Sequence, residues 1–289
     1  MSDWYQLDNN RLIVQITNKG AEIKRLFPKI WRRELLWQPN DEIAKAIWNR
    51  SAPVLFPIVG KLKDDKYHFQ GKDYTLSQHG FARDLDFECV ECGTTSIEFL
   101  LQATQETFLH YPFLFEFRIR YELDDSKLTT TYIVKNKDRQ DIYFSIGAHP
   151  GFNVLGHIDE YEIQFEQTEA GYYQLKDKLV NWKKQFPLSS NAIKLTKELF
   201  KDDALIFKDL KSSYVDLVNL KHNERVRIHK GSAPYFGIWG KGDVPFVCLE
   251  PWWGVSDDTN HDGNLENKKG IVKLSEGKSK KFSFTIELV

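Results

Sequence analysis

Phe115-Glu-Phe117-Arg-Ile119-Arg-Tyr121-Glu-Leu123 alternates without a break, apolar at odd positions and charged at even ones. A period of two sends successive side chains to opposite faces, which predicts a strand with one buried and one wet face. Similar alternation from Leu12 to Ile16, Ile97 to Ala103, Tyr161 to Phe165 and Phe282 to Leu288 predicts further strands. Asn18-Lys-Gly20, Gln70-Gly-Lys-Asp73 and Lys221-His-Asn-Glu224 fall between extended segments and have the turn chemistry of hairpins. Helical periodicity is scarce. Asp41 to Trp48 predicts about two helical turns, and Thr196 to Phe207 is ambiguous because Asp202-Asp203 interrupts its apolar pattern. Parallel sheets need crossover helices, and no regular set is present. The expectation is therefore all-β: an antiparallel sandwich of many short strands. No repeat, linker or composition shift divides the chain, so a single domain over 1–289 is expected. The polar stretch Asp257 to Gly270 reads as the longest loop, of a length that is often functional or mobile.

A chain of 289 residues can bury a substantial core. Its 40 basic and 41 acidic residues leave a net charge of -1, which offers no electrostatic case for nucleic acid or a membrane surface. Eight Trp and twenty Phe suit a sheet protein that could also stack on sugar rings. Three Cys, an odd number, imply no disulfide framework. The start, Met1-Ser-Asp-Trp-Tyr-Gln, lacks a basic n-region and an apolar h-region, and no apolar run is long enough to span a bilayer. A cytoplasmic location is expected.

Two apolar runs end in an ionisable residue followed by proline: Tyr143-Phe-Ser-Ile-Gly-Ala-His149-Pro150 and Pro245-Phe-Val-Cys-Leu-Glu250-Pro251-Trp252-Trp253. Proline gives no N–H to a ladder and restricts the residue before it, so both strands are expected to stop there. His149 and Glu250 would then sit at strand exits, facing a cleft. An imidazole and a carboxylate so placed suit a reaction that moves two protons.

Two more segments join them: Trp48-Asn49-Arg50-Ser-Ala-Pro53-Val-Leu-Phe56-Pro57-Ile-Val-Gly60-Lys61 and Ser77-Gln-His79-Gly80-Phe81-Ala-Arg83. With these four ordered motifs the chain resembles the aldose 1-epimerases, or galactose mutarotase-like proteins. It is most similar to the branch of LacX-type proteins and hexose-6-phosphate 1-epimerases, over nearly its whole length. The resemblance implies a large twisted antiparallel β-sandwich with a sugar cleft across one sheet. It implies Glu250 as general base, His149 as general acid, and His79 beside the ring oxygen. It further implies Arg50 on sugar hydroxyls, Arg83 near the substrate as in the phosphosugar branch, and Asp203 on a hydroxyl. Trp252 or Phe152 would lie under the C–H face of the sugar. The expected partner is a sugar or sugar phosphate, with no metal and no cofactor.

The implied reaction explains the pair. Exchanging α and β anomers requires ring opening to an aldehyde, rotation about C1–C2 and reclosure. A base on the C1 hydroxyl alone would build up an alkoxide, and an acid on the ring oxygen alone an oxonium. Acting together they avoid both, each positioned transfer being worth about 10²–10⁴-fold. Burial would raise the glutamate and an adjacent imidazolium would lower it, and the sequence leaves that contest open.

Plainer readings accompany each motif. Taken alone, Glu250 could be a structural carboxylate satisfied by backbone amides or an arginine. His68 and His229 read as polar-face strand residues, and His110, His157, His222 and His261 as loop or strand-edge residues without partner spacing. Asp258-Thr-Asn260-His-Asp262-Gly263 matches half of an EF-hand loop, but the position of the bidentate glutamate holds Lys269. Cys89-Val-Glu-Cys92 has zinc or redox spacing without a second pair, so two cysteines one strand-turn apart is the better reading. Lys61 and Lys63 could receive a phosphate or be surface charges beside Asp64 and Asp65. A non-catalytic sugar-binding protein on the same fold is the alternative. A glycosidase would need two facing carboxylates, for which Asp203 and Glu250 could serve, leaving His149 unexplained.

Overall fold

Phe115–Asp124 is a strand whose odd residues are buried and whose even residues are not. On the wet face Arg118 meets Glu98 at 2.8 Å, and Arg120 meets Glu91 at 2.8 Å. This is the computed structural model of the chain, and it describes residues 3–241 and 244–289. Met1 and Ser2, on which part of the reading of the chain start falls, lie outside the described residues. The three expected hairpins form between Leu12–Thr17 and Ile23–Pro28, Lys66–Phe69 and Lys72–Thr75, and Tyr214–Asn219 and Glu224–His229.

Nine strands make one sheet, with Ser279–Leu288 and Lys127–Asn136 near its centre and Glu88–Cys92 at one edge. Among the described residues eight make the second large sheet, beside one small sheet of three strands and two of two, and in it Phe246–Trp253 lies between Tyr235–Gly240 on one side and the short strands Ile146–Ala148 and Gly151–Asn153 on the other. Every pairing between the described strands is antiparallel, so the expected all-β sandwich is what forms. One apolar core draws from both sheets: Phe117, Tyr132, Ile228 and Phe284 from the larger, and Phe207, Phe236, Val247, Leu249 and Trp253 from the smaller. Tyr132 meets Trp253 edge-on, and Phe165 lies 5.0 Å from Phe207, so aromatic rings bridge the sheets.

Several expectations need correction. A short helix, Gln105–His110, was not foreseen, and His110 ends it rather than a loop. Thr104 and Thr107 cap it reciprocally, but a threonine at the third position lacks the usual Glu/Gln signal. The ambiguous 196–207 stretch resolves into turns followed by the strand Leu205–Lys208, whereas Glu42–Ile47 is helical as expected. Cys89 and Cys92 are joined by a disulfide. A β-bulge after Cys89 adds a residue to that strand, which brings two side chains three apart onto the same face. The 257–270 segment is less open than its composition suggests. It contains a 3₁₀ turn at Leu265–Asn267, and Lys268 is buried with its Nζ 2.6 Å from Asp257.

Candidate active site

The strand Phe246–Trp253 is the backbone of the site. Val247, Leu249 and Trp253 point into the core between the sheets, so Cys248, Glu250 and Trp252 point to the other face. Contrary to expectation, Pro251 does not end this strand, because it pairs in register with Phe236. The Leu249 N–H donates to Pro150 O, so position 251, two residues on, faces the same side. There the neighbouring chain breaks at His149-Pro150, between Ile146–Ala148 and Gly151–Asn153. The missing proline N–H thus faces a gap, at no cost to pairing. The same gap frees His149 from the ladder, as expected, and lets its ring turn toward Glu250.

His149 Nε2 and Glu250 Oε2 are 3.3 Å apart. Both line a cavity of about 270 Å³, together with Trp48, His79, Arg83, Lys178, Asp203, Trp239 and Trp252. Trp48 lies tilted over the His149 ring at 5.2 Å, and Trp239 meets it edge-on at 5.7 Å. His79 approaches from the third side, its ring 5.4 Å from that of His149. It occupies a tight turn with φ +70°, followed by Gly80 at φ +72°. A Cβ on Gly80 would fall 2.3 Å from Phe56 O, so only glycine fits there. The Gly60 N–H donates to His79 Nδ1, and the Gln78 side-chain nitrogen lies 3.2 Å from His79 Nε2.

Among the described residues, His149 Nδ1, Glu250 Oε2 and Arg83 Nε are buried without a hydrogen-bond partner, and Trp252 Nε1 lacks one of good geometry. Four unsatisfied polar groups around one hollow are expensive unless a polar ligand completes them.

Burial dominates the electrostatics. It pushes the Glu250 carboxyl well above its ordinary range, with the Trp252 indole opposing and Asp203 reinforcing the rise. Burial, then the Arg83 charge, pulls His149 down to about 3. Burial, followed by His149 and Arg83, also lowers His79 well below 6.5. Both shifts favour the uncharged forms, a protonated carboxyl beside a neutral imidazole. A carboxylate beside an imidazolium carries the same proton count, so sugar hydroxyls that solvate charge can convert one form to the other without solvent protons.

These shifts set a pH dependence of stability. Below pH 6.5 the unfolded chain takes up histidine protons that folded His149 and His79 refuse, so stability falls toward acid. Above 4.5 the unfolded glutamate releases a proton that folded Glu250 keeps, so stability also falls as pH rises toward the raised value. For these three groups the two slopes meet near 6.5. Thermal midpoints measured across pH should show Glu250→Gln flatter than wild type on the alkaline side. Parallel alkaline slopes would refute the raised carboxyl.

Of the other residues expected at the site, Arg83, Asp203 and Trp252 line the cavity. Arg50 is not among the described residues that do. Its guanidinium is bound to Asp84 at 2.5 Å and to Arg83 O at 3.1 Å, so it braces Arg83 from behind. Phe152 belongs to the inter-sheet core and is no platform for a sugar. Lys61 pairs with Asp65, and Lys63 Nζ donates to His261 O, which favours the surface reading for both. The apolar surroundings of Glu250 are Trp252 and Cys248 on its own face, since Val247 and Leu249 point away. His261 lies in a loop as expected, with its side chain packed 3.8 Å from Asp257.

Three features escaped the sequence reading. Trp48 and Trp239 gave no signal as cavity walls. Lys178 reaches the cavity from the turn of the hairpin joining Gly171–Lys176 to Leu179–Pro187, its Nζ 3.3 Å from Gln78 Oε1. Glu22, buried near the N-terminus, accepts from the Ser51 and Ala52 amides and holds the Arg50–Pro53 segment.

A β-sandwich with a histidine–glutamate pair at the floor of one sheet defines a class on its own geometry, and comparison with known proteins says which. The aldose 1-epimerase family matches residues 3–286, and the chain belongs to that family. Its function is accordingly of the epimerase, or mutarotase, type. Protein LacX (chromosomal) of Lactococcus lactis subsp. lactis is 29% identical over 98% of this chain and 99% of its own. A crystal structure of a galactose mutarotase related enzyme from Lactobacillus acidophilus superposes with a TM-score of 0.94. It shares 38% identity and covers 99% of this chain and 97% of its own. A galactose mutarotase-like protein from Lactobacillus casei ATCC 334 has a TM-score of 0.92 at 28% identity, covering 99% and 100%. No helix among the described residues is long and apolar enough to cross a membrane.

Proposed function

We propose that the protein interconverts the α and β anomers of a hexose or hexose 6-phosphate by acid–base ring opening, on one domain and without a cofactor. The observation that carries this reading is the 3.3 Å approach of His149 and Glu250 inside one cavity. Glu250, as carboxylate, takes the proton of the C1 hydroxyl while His149 protonates the ring oxygen. The C1–O5 bond breaks, the aldehyde rotates, and the reverse transfers close the ring on the other face. Each group ends as it began, so no redox partner or net proton is consumed. His79 lies beside the ring oxygen, Asp203 accepts from a hydroxyl, and Trp252 supplies an apolar surface.

A phosphorylated substrate is favoured by charge. Arg83 and Lys178 line the cavity against Asp203 and a pair that is neutral overall, and buried Arg83 Nε, 3.7 Å from the Arg50-bound Asp84, has no hydrogen-bond partner among the described residues. Anomer exchange followed by NMR, with glucose and galactose against their 6-phosphates, tests this. Faster exchange of the phosphates is expected, together with loss of that preference in Lys178→Met. A clear preference for free sugars would refute it, and no exchange of any sugar would refute the isomerase reading itself.

A further inference from the structure

We infer that His149, Cys248 and Glu250 form a binding site for a thiophilic divalent cation, zinc above all, and that metal and sugar exclude each other there. One ring nitrogen, the Cys248 Sγ and one carboxylate oxygen lie within 4.8 Å of one another, and all three residues are buried. Cys248 and Glu250 are two apart on one strand, so the pleat puts both on the face that His149 approaches. Tetrahedral zinc with bonds of 2.0–2.1 Å to nitrogen and oxygen separates those ligands by roughly 3.3 Å. His149 Nε2 and Glu250 Oε2 already stand at 3.3 Å. Glu250 is 1% exposed and its Oε2, beside His149 Nε2, has no hydrogen bond of good geometry among the described residues.

The charges and protons balance. To ligate zinc, Cys248 binds as thiolate and Glu250 as carboxylate, and any proton either carries leaves to solvent. A thiolate and a carboxylate then neutralise the ion in a site too dry to hold net charge. Nitrogen, oxygen and sulfur together suit zinc over magnesium or calcium. His149 and Glu250 line the cavity, so a fourth ligand would have to come from that side. Cys89 and Cys92 are paired with each other and do not compete for the metal.

Binding can be read without any sugar. One equivalent of Co²⁺ added to the full chain should give visible bands of a tetrahedral thiolate site, which zinc then abolishes. The bands should be missing in Cys248→Ala and in Glu250→Gln, so the test survives if either variant fails to fold. The inhibitory half rests on the proposed isomerase activity. There zinc should stop anomer exchange, EDTA should restore it, and Cys248→Ala should need at least about tenfold more zinc. That is the lower end of what even outer-shell changes cost a metal site. A wild type without thiolate bands, or equal zinc sensitivity in wild type and Cys248→Ala, would overturn the site. Absent exchange activity beside intact cobalt spectra would overturn the enzymatic reading alone.

Discussion

Glu250→Gln is expected to fold like the wild type and to exchange anomers about 10²–10⁴-fold more slowly, the usual weight of one positioned proton transfer. The amide fills the volume of a side chain that is 1% exposed, so packing should survive. It cannot take a proton from the C1 hydroxyl, and His149 alone would then push charge onto the ring oxygen with nothing relieving it at C1. NMR exchange on the variant, with circular dichroism to verify folding, is the measurement. Near-normal exchange would remove Glu250 from the base role. His149→Asn should fall by a similar factor, and the double variant by little more than either single one, because the two groups act on one proton inventory.

The second large effect concerns stability. Lys268→Met should cost about 3–5 kcal/mol, because it strands the Asp257 charge inside the protein. Lys268 and Asp257 are each 1% exposed at the side chain and pair at 2.6 Å, and Lys268 Nζ also donates to Val255 O. Domains carry only about 5–15 kcal/mol in total, so urea denaturation should show an unmistakable drop in midpoint. Replacing both partners, as in Lys268→Met with Asp257→Leu, should recover part of the loss, since a buried pair exchanged for apolar groups is often near neutral. Recovery will be incomplete, because Asp257 Oδ2 also accepts the Lys63 N–H. A loss below about 1 kcal/mol for the single variant would show that water reaches the pair.

The sequence spoke clearly wherever a local rule acts. The alternation at Phe115–Leu123 gave the sheet, and glycine-bearing and polar turns gave the hairpins, because each depends only on neighbours a few residues away. Resemblance and the adjacent prolines point to the pairing of His149 with Glu250, but the proline rule holds at Pro150 and fails at Pro251. Proline stops a ladder only where its missing N–H would have had a partner, and at Pro251 the partner strand is interrupted. That is a fact about a distant segment. Lys178 and Trp239 were invisible for the same reason: nothing near a hairpin turn announces which hollow it overhangs. For Arg50 a motif reports which residues recur together, while the ion pair with Asp84 decides which way the guanidinium faces.

The indole of Trp252 rests on two positions that have no side chain. A Cβ at Gly147 would come within 2.6 Å of its Cδ1, and one at Gly237 within 2.5 Å of its Cη2. The depth of the binding hollow is therefore written by emptiness beneath the ring, in residues that would touch no substrate atom. Adding one methyl group there would tip the aromatic plate upward and make the hollow shallower. Attempts to retune which sugars fit could begin under the floor, before altering any wall.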